Sequence, residues 1–140
     1  TFPTRRSSDL LSIGRLARQA NCKVETVHYY EKSGLMPKPP RSAGGHRIYD
    51  ISHAKRLKFI RRCRELGFNI EQIKTLLSFI DEPNHSCGEV KSVALAQSKE
   101  VQAKIDDLKR LKMALDTMVA QCKGKNYPVE ECPIIDALYL

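Results

Sequence analysis

Cys87, Cys122 and Cys132 are the residues whose type and spacing could do chemistry in the second half of this chain. Cys87 stands at the start of a long run free of Gly and Pro, and Cys122 stands at its end. A cysteine in the first turn of a helix sits among unpaired N–H groups that favour thiolate over thiol, and thiolate is the form that binds metal. Three sulfur donors with no required histidine suit mercury(II), lead(II), cadmium(II) or zinc(II) better than magnesium or calcium. Over 35 helical steps at about 1.5 Å each, Cys87 and Cys122 would lie roughly 52 Å apart, so they cannot share an ion within one chain. In an antiparallel helix pair, Cys87 would meet Cys122 of the partner subunit and Cys132 of the partner subunit, giving two equivalent three-thiol sites. Any one of these cysteines could instead be a small buried residue at a dimer seam; all three at these places favour ligands. The same thiols could alternatively be oxidised to a disulfide, which would make a redox sensor.

Cys22, in a short break between helices, and Cys63, on an apolar helix face, read as core residues. Five cysteines are an odd number, and no charged start followed by an apolar stretch suggests export, so reduced thiols and a cytoplasmic location are expected. His85 reads as an exposed loop histidine rather than an auxiliary ligand, and His46 and His53 as phosphate-side or surface residues. No apolar run approaches the roughly 18 to 20 residues needed to cross a bilayer, so no membrane partner is expected. No phosphate loop, nucleophile motif or paired-carboxylate constellation appears, which argues against an enzyme.

The first half points to a different chemistry. Residues 11–66 hold 13 Lys+Arg against 4 Asp+Glu, a balance of +9, whereas residues 67–140 hold 9 against 11, a balance of −2. Such a basic front argues for a polyanion, and double-stranded DNA is the partner expected. Thr26, His28 and Tyr29 can hydrogen bond to base edges or phosphates, and Arg47 can reach the backbone or minor groove. Arg15, Arg18, Lys23, Lys38, Arg41 and Tyr49 complete the set of candidate contacts, with one of Tyr29 and Tyr30 expected inside the fold.

The elements that must position these residues follow from periodicity and stop signals. Ser12 caps a first helix carrying Ile13, Leu16, Ala17 and Ala20, and a break at Asn21–Cys22 leads to a second helix over Val24–Ser33, closed by Gly34. Two short helices joined tightly make a helix-turn-helix. The Pro- and Gly-rich segment 38–49 ends in a strand-like His46-Arg47-Ile48-Tyr49, read as a small β wing. Asp50 caps a helix through Leu66, and Asn69 with Gln72 opens another through Ile80. Ser86 with Glu89 opens the long helix, expected over Cys87–Cys122. Val101, Ile105, Leu108, Leu115, Val119 and Cys122, with Leu111 bridging the gap, form a narrow seam on it, as in a coiled coil.

The chain is thus expected to be mainly α. A winged helix-turn-helix head over 11–80 precedes a long antiparallel coiled-coil dimerisation helix over 87–122. A short metal-binding loop and C-terminal helix fill 123–140. Residues 1–10, with no hydrophobic period, are read as non-native or disordered and set aside.

Several ordered motifs resemble the MerR family of bacterial transcription regulators. They are Ile13-Gly14-Arg15-Leu16-Ala17, Val24-Glu25-Thr26-Val27-His28-Tyr29-Tyr30-Glu31, Gly34-Leu35-Met36-Pro37, Arg47-Ile48-Tyr49 and Arg64-Glu65-Leu66-Gly67-Phe68. The resemblance covers residues 11 to 139. It implies a homodimer on promoter DNA whose recognition boxes are spaced too far apart for RNA polymerase until metal binding twists the DNA. Two departures stand out: the family usually has Arg where this chain has His28, and Asn is common where Gly45 stands. Ser86-Cys87-Gly88-Glu89, Cys122 and Glu131-Cys132-Pro133-Ile134-Ile135 match ligand positions of the metal-sensing branch, in which a cysteine at the Cys87 position goes with divalent metals. The Cys-Pro-Ile-Ile ending looks most like the mercury-responsive members, with lead, cadmium and zinc sensors as competitors. The four-cysteine run of the family's iron–sulfur members is absent, and with 18 residues after Cys122 the larger ligand domain of its drug sensors is not expected.

Overall fold

The computed structural model describes residues 10–139, mainly as helices. The reading of residues 1–10 falls on residues 1–9, outside the described residues. In chain order the helices are α1 (Ile13–Gln19), α2 (Val24–Lys32), α3 (Ile51–Glu65), α4 (Ile70–Asp81), α5 (Cys87–Ala120) and α6 (Pro133–Leu138), with one 3₁₀ turn over Val129–Glu131. The chain divides into two compact units, residues 1–93 and 94–140.

In the first unit, local signals set each helix. The Ser12 hydroxyl accepts from the Arg15 N–H to cap α1. Asp50 caps α3 through Ser52 and His53, and the His53 ring accepts from the Asp50 N–H at 3.1 Å, closing a capping box. Asn69 and Gln72 close a second box on α4 with reciprocal bonds of 2.8 Å. Gly34 and Gly67 follow α2 and α3 with φ of +84° and +87°, a conformation that costs a residue with Cβ. Asn21 takes φ +53° in the turn between α1 and α2, as Asn tolerates.

These helices enclose one core. Leu16, Val27, Leu35, Met36, Tyr49, Leu57, Ile60 and Ile73 are its fully buried members. Burying a side chain of this size stabilises by roughly 1.5–3 kcal/mol each, so the head has the means to hold its short α1 and α2 in place. Tyr30 is inside and Tyr29 is 53% exposed, as the pairing of the two suggested. Cys63 belongs to this core and Cys22 packs against it.

The wing is less regular than a hairpin. Two isolated antiparallel bridges, Leu11 with Tyr49 and Arg41 with Arg47, take the place of the expected strand run. Pro37, Pro39 and Pro40 carry no N–H, so a ladder cannot propagate along this segment; the Pro40 carbonyl still accepts from Ile48 at 2.9 Å.

Helix α5 opens as the sequence suggested: the Ser86 N–H donates to Glu89 and the Glu89 N–H to the Ser86 hydroxyl. It ends at Ala120, two residues short of the expected Cys122. Gln121 and Cys122 instead donate to carbonyls three residues back, at 3.0 and 3.1 Å, and Gly124 follows at φ +123°. Such tightened bonds commonly finish an α-helix. In the second unit, Pro133 opens α6 at its first position, where its missing N–H costs nothing.

Candidate nucleic-acid interface and metal-ligating thiols

Helix α2 presents Thr26 and His28 half-buried and Tyr29 exposed. Arg15 and Arg18 on α1 and Lys23 before α2 are exposed, as are Lys38 and Arg41 on the wing. The basic candidates of the head are therefore available to a polyanion. Arg41 donates to the Gly45 carbonyl at 3.0 Å and so stiffens its own wing turn.

The centre of this surface is an ordered network that ties the wing to α2. One Arg47 nitrogen, Nη1, lies 2.8 Å from Glu31 Oε2 and 3.0 Å from His28 Nδ1. The Tyr49 hydroxyl donates to the other Glu31 oxygen at 2.7 Å. The Tyr49 hydroxyl and the Glu31 carboxylate together hold Arg47 even more firmly charged than an ordinary guanidinium. Burial, with the bond to Glu31, pushes the Tyr49 hydroxyl up to about 12. Since a buried carboxylate is tolerated when paired and hydrogen bonded, Glu31 sits at low cost where an apolar residue would be expected.

This placement corrects two expectations. Tyr49 has no exposed surface, so it does not offer its hydroxyl to DNA; it positions Arg47 through Glu31. His53 is neither phosphate-side nor surface: it caps α3, and its ring meets that of Tyr49 edge-on at 5.4 Å. His46 is exposed, as expected.

Sequence reasoning missed Glu31 as the hub of the network. The signal was there: Glu31 lies four residues after buried Val27, on the face of α2 that should be apolar. It also missed Arg56, which donates to the Leu35 carbonyl at 2.8 Å and to both Asp81 oxygens at 2.8 and 3.0 Å, pinning α3 to the end of α4 and to the loop after α2. Only its partners in space mark Arg56 out.

The thiols divide into two groups. Burial pushes the Cys22 and Cys63 thiols up, with Arg61 partly opposing the effect at Cys22, as befits inert core cysteines. Cys87 and Cys122 are exposed and Cys132 is half-buried. Among the described residues, no three His, Cys, Asp or Glu side chains gather into a group able to hold a metal ion. His85 is engaged on both ring nitrogens, Nδ1 at 2.9 Å from Glu89 and Nε2 at 3.3 Å from Glu82, and its ring lies 4.9 Å from that of Phe79. Hydrogen bonds to Glu89 and then Glu82 raise its pKa. It serves the start of α5 in this arrangement and offers no free nitrogen to a metal beside Cys87.

Along α5, Val101, Ile105, Leu108, Leu111, Leu115 and Val119 are all exposed, between 39% and 67%. Such a row is a large apolar surface for a lone helix to show to water. Among the described residues, no helix is long and apolar enough to cross a membrane.

Residues 11–80 match the family of MerR HTH regulatory proteins, and residues 54–118 match the model described as "MerR, DNA binding". The chain is 37% identical over 126 residues to the mercuric resistance operon regulatory protein of Bacillus cereus, covering 90% of this chain and 95% of that protein. It is 39% identical over 127 residues to the transcriptional regulator ZntR of Escherichia coli, covering 90% of each. Among solved structures, a transcription regulator from Ralstonia metallidurans in complex with lead(II) superposes with a TM-score of 0.81 at 38% identity, over 91% of this chain and 98% of that one.

Proposed function

The chain belongs to the MerR family of regulatory proteins, and on that premise we propose that it acts as a homodimer on promoter DNA and activates transcription on binding a soft divalent metal, with mercury(II) first. At the coarser level it is a metal-responsive, DNA-binding transcription regulator and not an enzyme. The finer reading assigns the metal to Cys87 of one subunit with Cys122 of the partner subunit and Cys132 of the partner subunit. It assigns DNA contact to Arg15, Arg18, Lys23, Thr26, His28, Tyr29, Arg41 and Arg47. RNA polymerase is the further partner and the cytoplasm the compartment.

One observation carries the metal assignment. Cys87 is exposed at the first position of α5, while Cys122 lies exposed just past its last turn, and no donor group forms within the chain among the described residues. The reading takes two copies, and the exposed apolar row on α5 supplies a reason for them to pair. Metal that binds one dimer shape more tightly than another shifts the population between them, which is all that a switch requires. Mercury(II) stands before lead(II) because of the Cys132-Pro133-Ile134-Ile135 ending; lead(II) stands second because a relative at 38% identity binds it.

The test is reporter activation across mercury, lead, cadmium, zinc and copper salts, repeated with Cys87→Ser. The variant is expected to bind DNA and to lose the metal response. An unchanged response removes the three-thiol site.

A further inference from the structure

We propose that Arg47 locks His28 in the neutral tautomer bearing its proton on Nε2, so that α2 offers DNA a directional N–H donor at this position in place of a positive charge. The proposal rests on reading the head as DNA-binding. A guanidinium only donates, so Arg47 Nη1 at 3.0 Å from His28 Nδ1 requires that Nδ1 accept with its lone pair. A neutral imidazole with a bare Nδ1 carries its one proton on Nε2. Protonating Nδ1 would set a second N–H against the guanidinium.

The lock holds because Arg47 is itself held. The same Nη1 is bonded at 2.8 Å to Glu31, whose side chain is only 5% exposed and whose other oxygen accepts from buried Tyr49. Swinging Arg47 away would leave a buried carboxylate short of its cation, which is far costlier than breaking a surface pair. His28, Lys32, Lys38, Glu31 and Arg47 line a surface depression of about 200 Å³. Glu31 is turned to internal partners, so exposed Lys32 and Lys38 supply charge there while His28 supplies direction. The acceptor it fits is a lone pair on DNA, either a backbone phosphate oxygen or a purine N7.

The tautomer is tested on the full-length protein without DNA, by nitrogen-15 spectroscopy of labelled histidine. The expected signature at neutral pH is a bare Nδ1 and a protonated Nε2 on His28, moving toward a tautomer mixture in Arg47→Ala. A proton on Nδ1, or an imidazolium, overturns the proposal. The DNA side is tested on an operator selected from random duplexes by the wild-type chain. His28→Ala should weaken binding about five- to tenfold, as loss of one hydrogen bond implies. His28→Gln, whose amide nitrogen falls near the Nε2 position, should recover most of that loss, and His28→Asn should not. The slope of log affinity against log salt should be the same for His28→Gln as for wild type, since a neutral donor releases no counterion. A fall in that slope of about one unit would show a charged His28 and overturn the proposal. Methylphosphonate and 7-deazapurine substitution in the operator then identify which acceptor His28 meets. Failure of the wild type to select any operator would count against the DNA-binding reading and leave the spectroscopic test standing.

Discussion

Tyr49 donates its buried hydroxyl to Glu31 at 2.7 Å and thereby fastens the end of the wing to the last turn of α2. Tyr49→Phe removes that donor while keeping the ring, leaving one oxygen of a buried carboxylate without its partner. A hydrogen bond to a charged group is worth about 1.5–3 kcal/mol, and the variant should be destabilised by about that amount in urea unfolding. A loss below about 0.5 kcal/mol would show that the bond does not matter to the head.

Acid should weaken the head through Asp50. Burial opposes its charge, but hydrogen bonds from the Ser52 hydroxyl and the His53 N–H, with the nearby His53 ring, hold its pKa down at about 2 against an ordinary 3.8. A depressed carboxyl contributes stability that is present above the unfolded value and is lost as pH falls through the folded one. The contribution should therefore be complete above about pH 4 and disappear between about pH 4 and 2. Asp50→Ala, which also removes the α3 cap, should cost about 1–2 kcal/mol at neutral pH and flatten this part of the stability curve. An unaltered acid limb in the variant would rule Asp50 out as its source.

Subunit mixing tests the arrangement of the thiols. In a dimer formed from one Cys87→Ser chain and one Cys122→Ser chain, the proposed sharing leaves one site complete and the other with two ligands removed. Each variant alone keeps two thiols at every proposed site and should hold mercury(II) only in two-coordinate form, whereas the mixed dimer, co-purified through two different tags, should recover one three-coordinate ion per dimer, read by its thiolate-to-mercury ultraviolet band. Recovery of none would mean that Cys87 and Cys122 do not serve one shared site.

The apolar row on α5 makes a separate prediction. Leu108 is 63% exposed in the single chain, so Leu108→Glu costs the isolated helix little. Burying that carboxylate in a helix seam is expensive. Sedimentation should show dimer dissociation strengthened more than tenfold, with the thermal unfolding of the head retained. An unchanged dimer would place the seam elsewhere.

Most of the head was legible because its signals are local. Ser12, Asp50 and Asn69 announce helix starts within three residues, and Gly34 and Gly67 announce stops. The buried stripe of Leu57, Ile60 and Cys63 follows from spacing alone. What escaped depends on partners 16 to 25 residues away. Arg47 reads as a free DNA contact until Glu31 is seen beside it, and Arg56 reads as one more surface charge until Asp81 is. The wing's irregularity was half visible: its prolines were counted as loop formers, though their missing donors also forbid a ladder. The thiols were legible only as a spacing, because what would join candidate ligands at the two ends of a long helix is whatever stands alongside it.

The Glu31–Arg47–Tyr49 junction bears on how such a protein transmits force. The wing is fastened through a buried carboxylate to α2, the proposed recognition helix, so flexing one against the other would break hydrogen bonds to a buried charge. On the proposed reading, a torque applied to the head would be resisted at this junction and passed on to the duplex. On that reading the head would act as a handle, and a change of DNA twist would originate outside it.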